Sequence, residues 1–170
     1  MKAVIAGLLV GLAGASAAAA ADDALLARLV GGWTGRGTMK TSAEAAPERV
    51  YCKITNTLSD GGSTLQQKGR CSLASTSGGV DGTITALGSG LYGGTLDSLA
   101  SKGPATLAGL GNAARLDLNA AFIDSLTGQP AKSITTIELL PAGGYRLSGT
   151  RVNPKNGASY TSSDIVFSAK

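Results

Sequence analysis

From Trp33 onward the chain alternates apolar and polar residues with a period of two, broken at short intervals by glycine and proline clusters. The alternation predicts strands over about Trp33 to Lys40, Glu48 to Leu58, Ser63 to Ser75, Val80 to Leu87 and Leu91 to Leu99. Five more are expected over Ala105 to Leu110, Arg115 to Ile123, Ser133 to Leu140, Tyr145 to Val152 and Ser159 to Ser168. Gly78-Gly79, Gly88-Ser89-Gly90, Gly103-Pro104, Gly128-Gln129-Pro130, Gly143-Gly144 and the run Asn153 to Gly157 supply the turns. Before the first strand, Asp22 or Asp23 is placed to cap a short helix through Ala24 to Val30, with Leu25, Leu26, Leu29 and Val30 as its apolar face. Short strands at even spacing with tight turns make a meander, and closure removes the two exposed edges that an open sheet of this size would carry. The expected fold is all-β: an antiparallel up-and-down barrel of eight to ten strands with a short N-terminal helix. Thr83 to Gly88 resembles Thr106 to Gly111, as successive hairpins of one meander would.

The first 21 residues read differently. Lys2, an uncharged apolar run from Ala3 to Ala15 and the small-residue tract Ser16 to Ala21 predict a cleavable export signal, too short to span a bilayer and cut after Ala20 or Ala21. No cysteine stands directly after the cut, so a lipid anchor is not expected, and the Ala-rich signal suggests a bacterial periplasm. Residues 22–170 then form a single domain, long enough for one continuous core. The formal charge of +4 includes Lys2 and is too small to imply nucleic acid. The chain is not expected to span a membrane, and a monomer is expected.

An exported chain with two cysteines, Cys52 and Cys71, favours a disulfide. Asp60-Gly61-Gly62-Ser63 between them is a hairpin signal, and a two-residue turn at Gly61-Gly62 sets Cys52 opposite Cys71. The same register puts Val50, Ile54, Leu65 and Leu73 on the cysteine face as candidate interior residues. Lys53 then faces Arg70 on the other side, with Arg49 and Lys68 nearby. Like charges placed across strands repel, so this cluster is a candidate anion or partner patch.

Gly31-Gly32-Trp33 opens the first strand directly after the short helix, and in this it resembles the calycin superfamily, the lipocalins and their bacterial barrel relatives. That resemblance implies a barrel binding a small apolar or amphiphilic molecule, with Trp33 packed at one barrel end under an arginine from a late strand. Arg146 or Arg151 could supply it, and Arg151 is preferred. Heme-binding barrels of the nitrobindin type share the Gly-x-Trp start but hold iron through histidine. This chain has none. The first half is also similar to small exported inhibitors of metalloproteases, which carry a disulfide across a hairpin and insert an N-terminal trunk into the protease. Such a role would need Asp22 to Ala27 to be mobile.

The lack of histidine removes Ser-His-Asp and Cys-His catalysis, histidine zinc sites and the usual proximal heme ligand. No Ser-x-x-Lys occurs, and Asp81, Asp97, Asp117, Asp124, Glu138 and Asp164 are scattered without a paired signature. Gly88 to Gly93 and Gly109 to Ala114 match dinucleotide-binding glycine patterns but lie where turns are expected, not between a strand and a helix. No enzymatic activity, cofactor or metal is expected. The predicted role is a non-enzymatic periplasmic barrel, with a small lipophilic ligand or an envelope or protease partner.

Overall fold

A computed structural model describes residues 23–170; the predicted signal segment lies outside them. Ten antiparallel strands follow one helix: α1 (Ala24–Leu29), β1 (Gly31–Met39), β2 (Glu48–Ser59), β3 (Thr64–Ser72), β4 (Ser77–Gly88), β5 (Leu91–Asp97), β6 (Ala105–Gly111), β7 (Arg115–Ile123), β8 (Pro130–Leu139), β9 (Tyr145–Val152) and β10 (Ser159–Ala169). Each pairs with its sequence neighbour, and β1 closes the barrel on β10, from Trp33 opposite Ala169 to Met39 opposite Ser163. The period-two pattern thus gives the predicted up-and-down closed barrel at the upper limit of the expected strand number. The two similar hexapeptides end β4 and β6, each at a glycine before a turn. Gly88-Ser89-Gly90 is such a turn, all three residues at positive φ.

On β2 the pattern is strict: Val50, Cys52, Ile54 and Asn56 are buried while Arg49, Tyr51, Lys53 and Thr55 are exposed. On this strand the alternation sends the apolar side chains inward. No helix among the described residues is long and apolar enough to cross a membrane.

The hairpin β2–β3 keeps the predicted register, with Cys52 opposite Cys71, Lys53 opposite Arg70 and Leu58 opposite Leu65. Its turn is longer than expected. Ser59 pairs with Thr64, so four residues make the reversal, and Asp60, Gly61 and Gly62 all take positive φ. Lengthening the loop symmetrically by one residue on each side leaves every pairing unchanged, which is why the register survives the different turn. Cys52 and Cys71 are joined in a disulfide. Closing a loop of this length stabilises the fold by about 3 kcal/mol in the chain-entropy account. A buried disulfide fits an oxidising, exported environment.

Helix α1 stoppers one end of the barrel. Asp23 caps it, its Oδ1 accepting from the Leu25 and Leu26 amides at 3.1 and 3.0 Å, while Oδ2 accepts from the Tyr92 hydroxyl of β5 at 2.9 Å. Burial, then the Asp23 carboxylate, push the Tyr92 phenol up to about 12. Leu25, Leu26 and Leu29 are buried, and the Leu29 carbonyl at the helix end accepts from Trp33 Nε1 at 2.8 Å and Asn56 Nδ2 at 2.9 Å. Gly31, at φ +129, turns the chain from helix into β1, a backbone state other residues rarely adopt.

Candidate functional site

Trp33 does sit at a barrel end, but its partners are aromatic. Its ring meets Tyr145 edge-on at 5.2 Å between centroids, and Tyr145 stacks on Phe167 at 4.6 Å. Phe167 lies over Gly35, where a Cβ would collide with the ring. The arginine expected across Trp33 is elsewhere. Trp33 stands at the β1 end next to α1, whereas Arg151 is at the far end of β9, opposite Ser133 and Tyr160. Arg146, the other candidate, points outward and pairs with Asp164 at 2.6 Å. Inner positions on β9 run Tyr145, Leu147, Gly149, Arg151, so the residue reaching Trp33 is Tyr145 and the arginine emerges at the opposite mouth.

That mouth opens into a cavity of about 170 Å³. Its wall is apolar, built from the Cys52–Cys71 disulfide, Ile54, Val80, Leu96, Phe122 and Ile165. The space exists because four neighbouring strands carry small inner residues at this level: Ala120 on β7, Ser133 on β8, Gly149 on β9 and Ser163 on β10. A register shift between Thr161 and Ser163 marks a bulge in β10, and both Ser162 and Ser163 line the cavity. Bulges re-aim side chains in this way at barrel rims. Of the candidate interior residues, Val50, Ile54 and Leu65 are buried and Leu73 packs partly buried against them; Ile54 lines this cavity, and Leu65 lines a smaller one deeper in the barrel.

Arg151 is held at the rim by Asp124, with Nη2 2.6 Å from Oδ2, and its guanidinium lies over the Phe122 ring at 5.3 Å. The pair is largely out of water, with side-chain exposures of 16% and 7%. Burial opposes ionisation of Asp124, but the Thr127 amide, Arg151 and the Leu126 amide outweigh it and hold the carboxyl below its ordinary value. Lys40, the second rim cation, donates to the Ala43 carbonyl at 2.7 Å and sits over the Tyr160 ring at 5.6 Å. Arg151 is matched by Asp124, so among the residues lining the cavity Lys40 is the cation without a carboxylate partner.

The predicted outer patch is assembled only in part. Lys53 and Arg70 face each other across β2–β3, and Arg49 is on the same exposed side. Lys68 is compensated, lying 3.7 Å from Asp81 of β4. Arg36 of β1, which the hairpin pattern could not locate, joins the group instead: it is opposite Tyr51 and lies over its ring, as does Lys53. Among the described residues Arg36, Arg49, Lys53 and Arg70 have no carboxylate within ion-pair distance.

Asp23 to Ala27, which the inhibitor resemblance requires to be mobile, is capped and docked through buried Leu25 and Leu26. Asp22 lies outside the described residues. No protein-family model matches the chain, and a search of curated proteins finds no match. The closed ten-strand antiparallel barrel fits a lipocalin-like fold in general.

Proposed function

We propose that the protein is a non-enzymatic carrier or sensor that binds one small amphiphilic molecule in the open half of its barrel, apolar body inward and anionic group at the mouth. The observation that carries this reading is the apolar cavity of about 170 Å³ beneath a rim bearing Lys40 and Arg151. A cavity of about 150 Å³ is enough for a benzene-sized molecule, so a single ring or an acyl chain of short to medium length is the class that fits. The buried disulfide and the signal-like N-terminus support placing this binding in the periplasm. The Gly-x-Trp start together with barrel closure supports kinship with the calycins, a fold-level analogy that does not name the ligand.

Native mass spectrometry of the protein purified from its own cells tests the reading. A reproducible added mass, lost on denaturation and absent from Ala120→Leu and Ser133→Leu variants, is expected. A bare chain mass in all three, with no uptake of medium-chain fatty acids, would discard it.

A second reading rests on the outer face. Four cations around exposed Tyr51 with no carboxylate within ion-pair distance support contact with an anionic, phosphate-bearing envelope surface. Charge reversal by Lys53→Glu with Arg70→Glu is expected to reduce retention on vesicles rich in phosphatidylglycerol several-fold at low salt. Unchanged retention would remove this reading and leave the cavity reading intact.

A further inference from the structure

Below the open cavity, toward α1, lies a second, smaller space of about 40 Å³. Gln67, Leu96, Thr135 and Leu147 line both spaces, so only one layer of side chains separates them. The lower space is apolar in most of its lining but brings the side chains of Asn56, Gln67 and Tyr145 together, with the Thr135 hydroxyl on the layer above and Thr83 and Thr95 also in the lining. Asn56 spends one amide N–H on the Leu29 carbonyl, and its oxygen accepts from Gln67 Nε2 at 3.2 Å. Each amide group keeps a second N–H. The Tyr145 hydroxyl makes no hydrogen bond although Asn56 stands near it, the one buried side-chain polar atom so placed among the described residues. Tyr145 is 1% exposed.

A buried hydroxyl with nothing to bond costs folding free energy, and unpartnered groups of this kind in native interiors commonly mark a place completed by another molecule. Burial pushes the Tyr145 phenol well above its ordinary range, with Asn56 acting weakly the other way, so the group remains an O–H donor. The donors at this level are the phenol and the second N–H of each amide, and against them stand the Gln67 side-chain oxygen and the Thr135 hydroxyl, all facing a space large enough for one oxygen and its carbon. The group that satisfies the phenol is an uncharged acceptor, since an anion there would be buried without a cation.

We propose that the closed end of the barrel is a second recognition point for the ligand, in which Tyr145, with Asn56 and Gln67 beside it, donates to a carbonyl or hydroxyl oxygen at the ligand's inner end. The proposal rests on the cavity reading above and adds polarity at both ends of the bound molecule. Tyr145 and Arg151 bracket the bore on a single strand. They stand six positions apart, about 20 Å of strand and roughly 15 Å along the axis of a barrel tilted as usual. The matching ligand class is an elongated molecule of medium acyl length, anionic at one end and oxygenated at the other.

The test compares decanoate with the same acid carrying a ketone on its penultimate carbon, titrated calorimetrically against the wild-type mature protein and Tyr145→Phe. Tighter binding of the keto acid by about tenfold, a preference that disappears in Tyr145→Phe, is the expected result. The variant's unliganded thermal midpoint should be unchanged or raised, because it loses a hydroxyl that has no partner. Equal binding of both acids to both proteins would overturn the second recognition point, leaving at most a trapped water there, while the cavity reading stands. Binding of neither acid by either protein would remove both. A lower midpoint for Tyr145→Phe, with no change in preference, also rejects the proposal, since the hydroxyl would then serve the fold alone.

Discussion

The two ends of this barrel are made by the same strands and differ in what those strands carry inward. Toward α1 the inner positions are large: Leu116 and Leu118 on β7, Ile137 and Leu139 on β8, Tyr145 on β9, Phe167 on β10, with Trp33 on β1. Beyond that level the same four strands offer Ala120, Ser133, Gly149 and Ser163. One end is filled by side chains and stoppered by a helix whose last carbonyl receives two side-chain donors. The other retains space, lined by a bulge and guarded by an ion pair. Barrels of small diameter are ordinarily filled, and the departure at one end is what gives this one a candidate site. Stability and binding are thereby divided along the axis, and substitutions should respond differently according to level.

The largest effect is expected at the stoppered end. Trp33→Ala removes the ring that packs on Tyr145 and the donor that satisfies the Leu29 carbonyl, and should lower unfolding free energy by about 4 kcal/mol in a urea titration. If the loss were under about 1 kcal/mol, the closed end would not be the packed half and the division along the axis would fail.

The next effect is at the mouth and is electrostatic. Asp124→Ala leaves the Arg151 guanidinium largely buried beside Phe122 without its carboxylate and should cost about 3 kcal/mol. A pH titration separates this from packing. The folded Asp124 carboxyl is held below its ordinary 3.8, so its contribution is fully present above that value and is lost as pH falls through the lower folded one. Wild-type stability should therefore decline below about pH 4 more steeply than that of Asp124→Asn. Equal slopes would mean that the pair contributes nothing beyond the geometry of its loop.

Much of this was legible in the sequence, and the portion that was not follows a physical rule. Strand positions, closure, the Asp23 cap and the Cys52–Cys71 pairing follow from alternation, glycine clusters and one register, all of which are local. The turn length at Asp60 to Ser63 escaped because a symmetric extension changes no pairing, and Gly78-Gly79, expected as a turn, instead lies within β4, paired with Cys71 and Arg70. The role given to Arg151 failed because it needed the barrel's axial direction as well as its inner face: Tyr145, Leu147, Gly149 and Arg151 alternate inward together, but only the β9–β10 and β10–β1 registers show which end meets Trp33. Arg36 was missed for a related reason. It reaches Tyr51 across β1–β2, a pairing with a long connecting loop between Met39 and Glu48 and no tight-turn signal to set its register. The cavity was present in the sequence as four small inner residues, one per strand, visible as a set only after the registers align them.

The smallest expected effect is the sharpest test of the division. Ala120→Leu adds three carbons at a buried position beside open volume, so unfolding free energy should change by less than about 1 kcal/mol in either direction. A smaller enlargement at the other end, Gly35→Ala, drives a Cβ into the Phe167 ring and should cost more than the larger substitution does at the mouth. Size alone predicts the opposite order, since leucine adds more atoms to a core than alanine does. The observed ranking therefore reads out where the empty volume lies. If Ala120→Leu is the more damaging of the two, the open half is packed in solution, and the barrel would have to act through its surface, where Arg36, Tyr51, Lys53 and Arg70 are the residues to pursue.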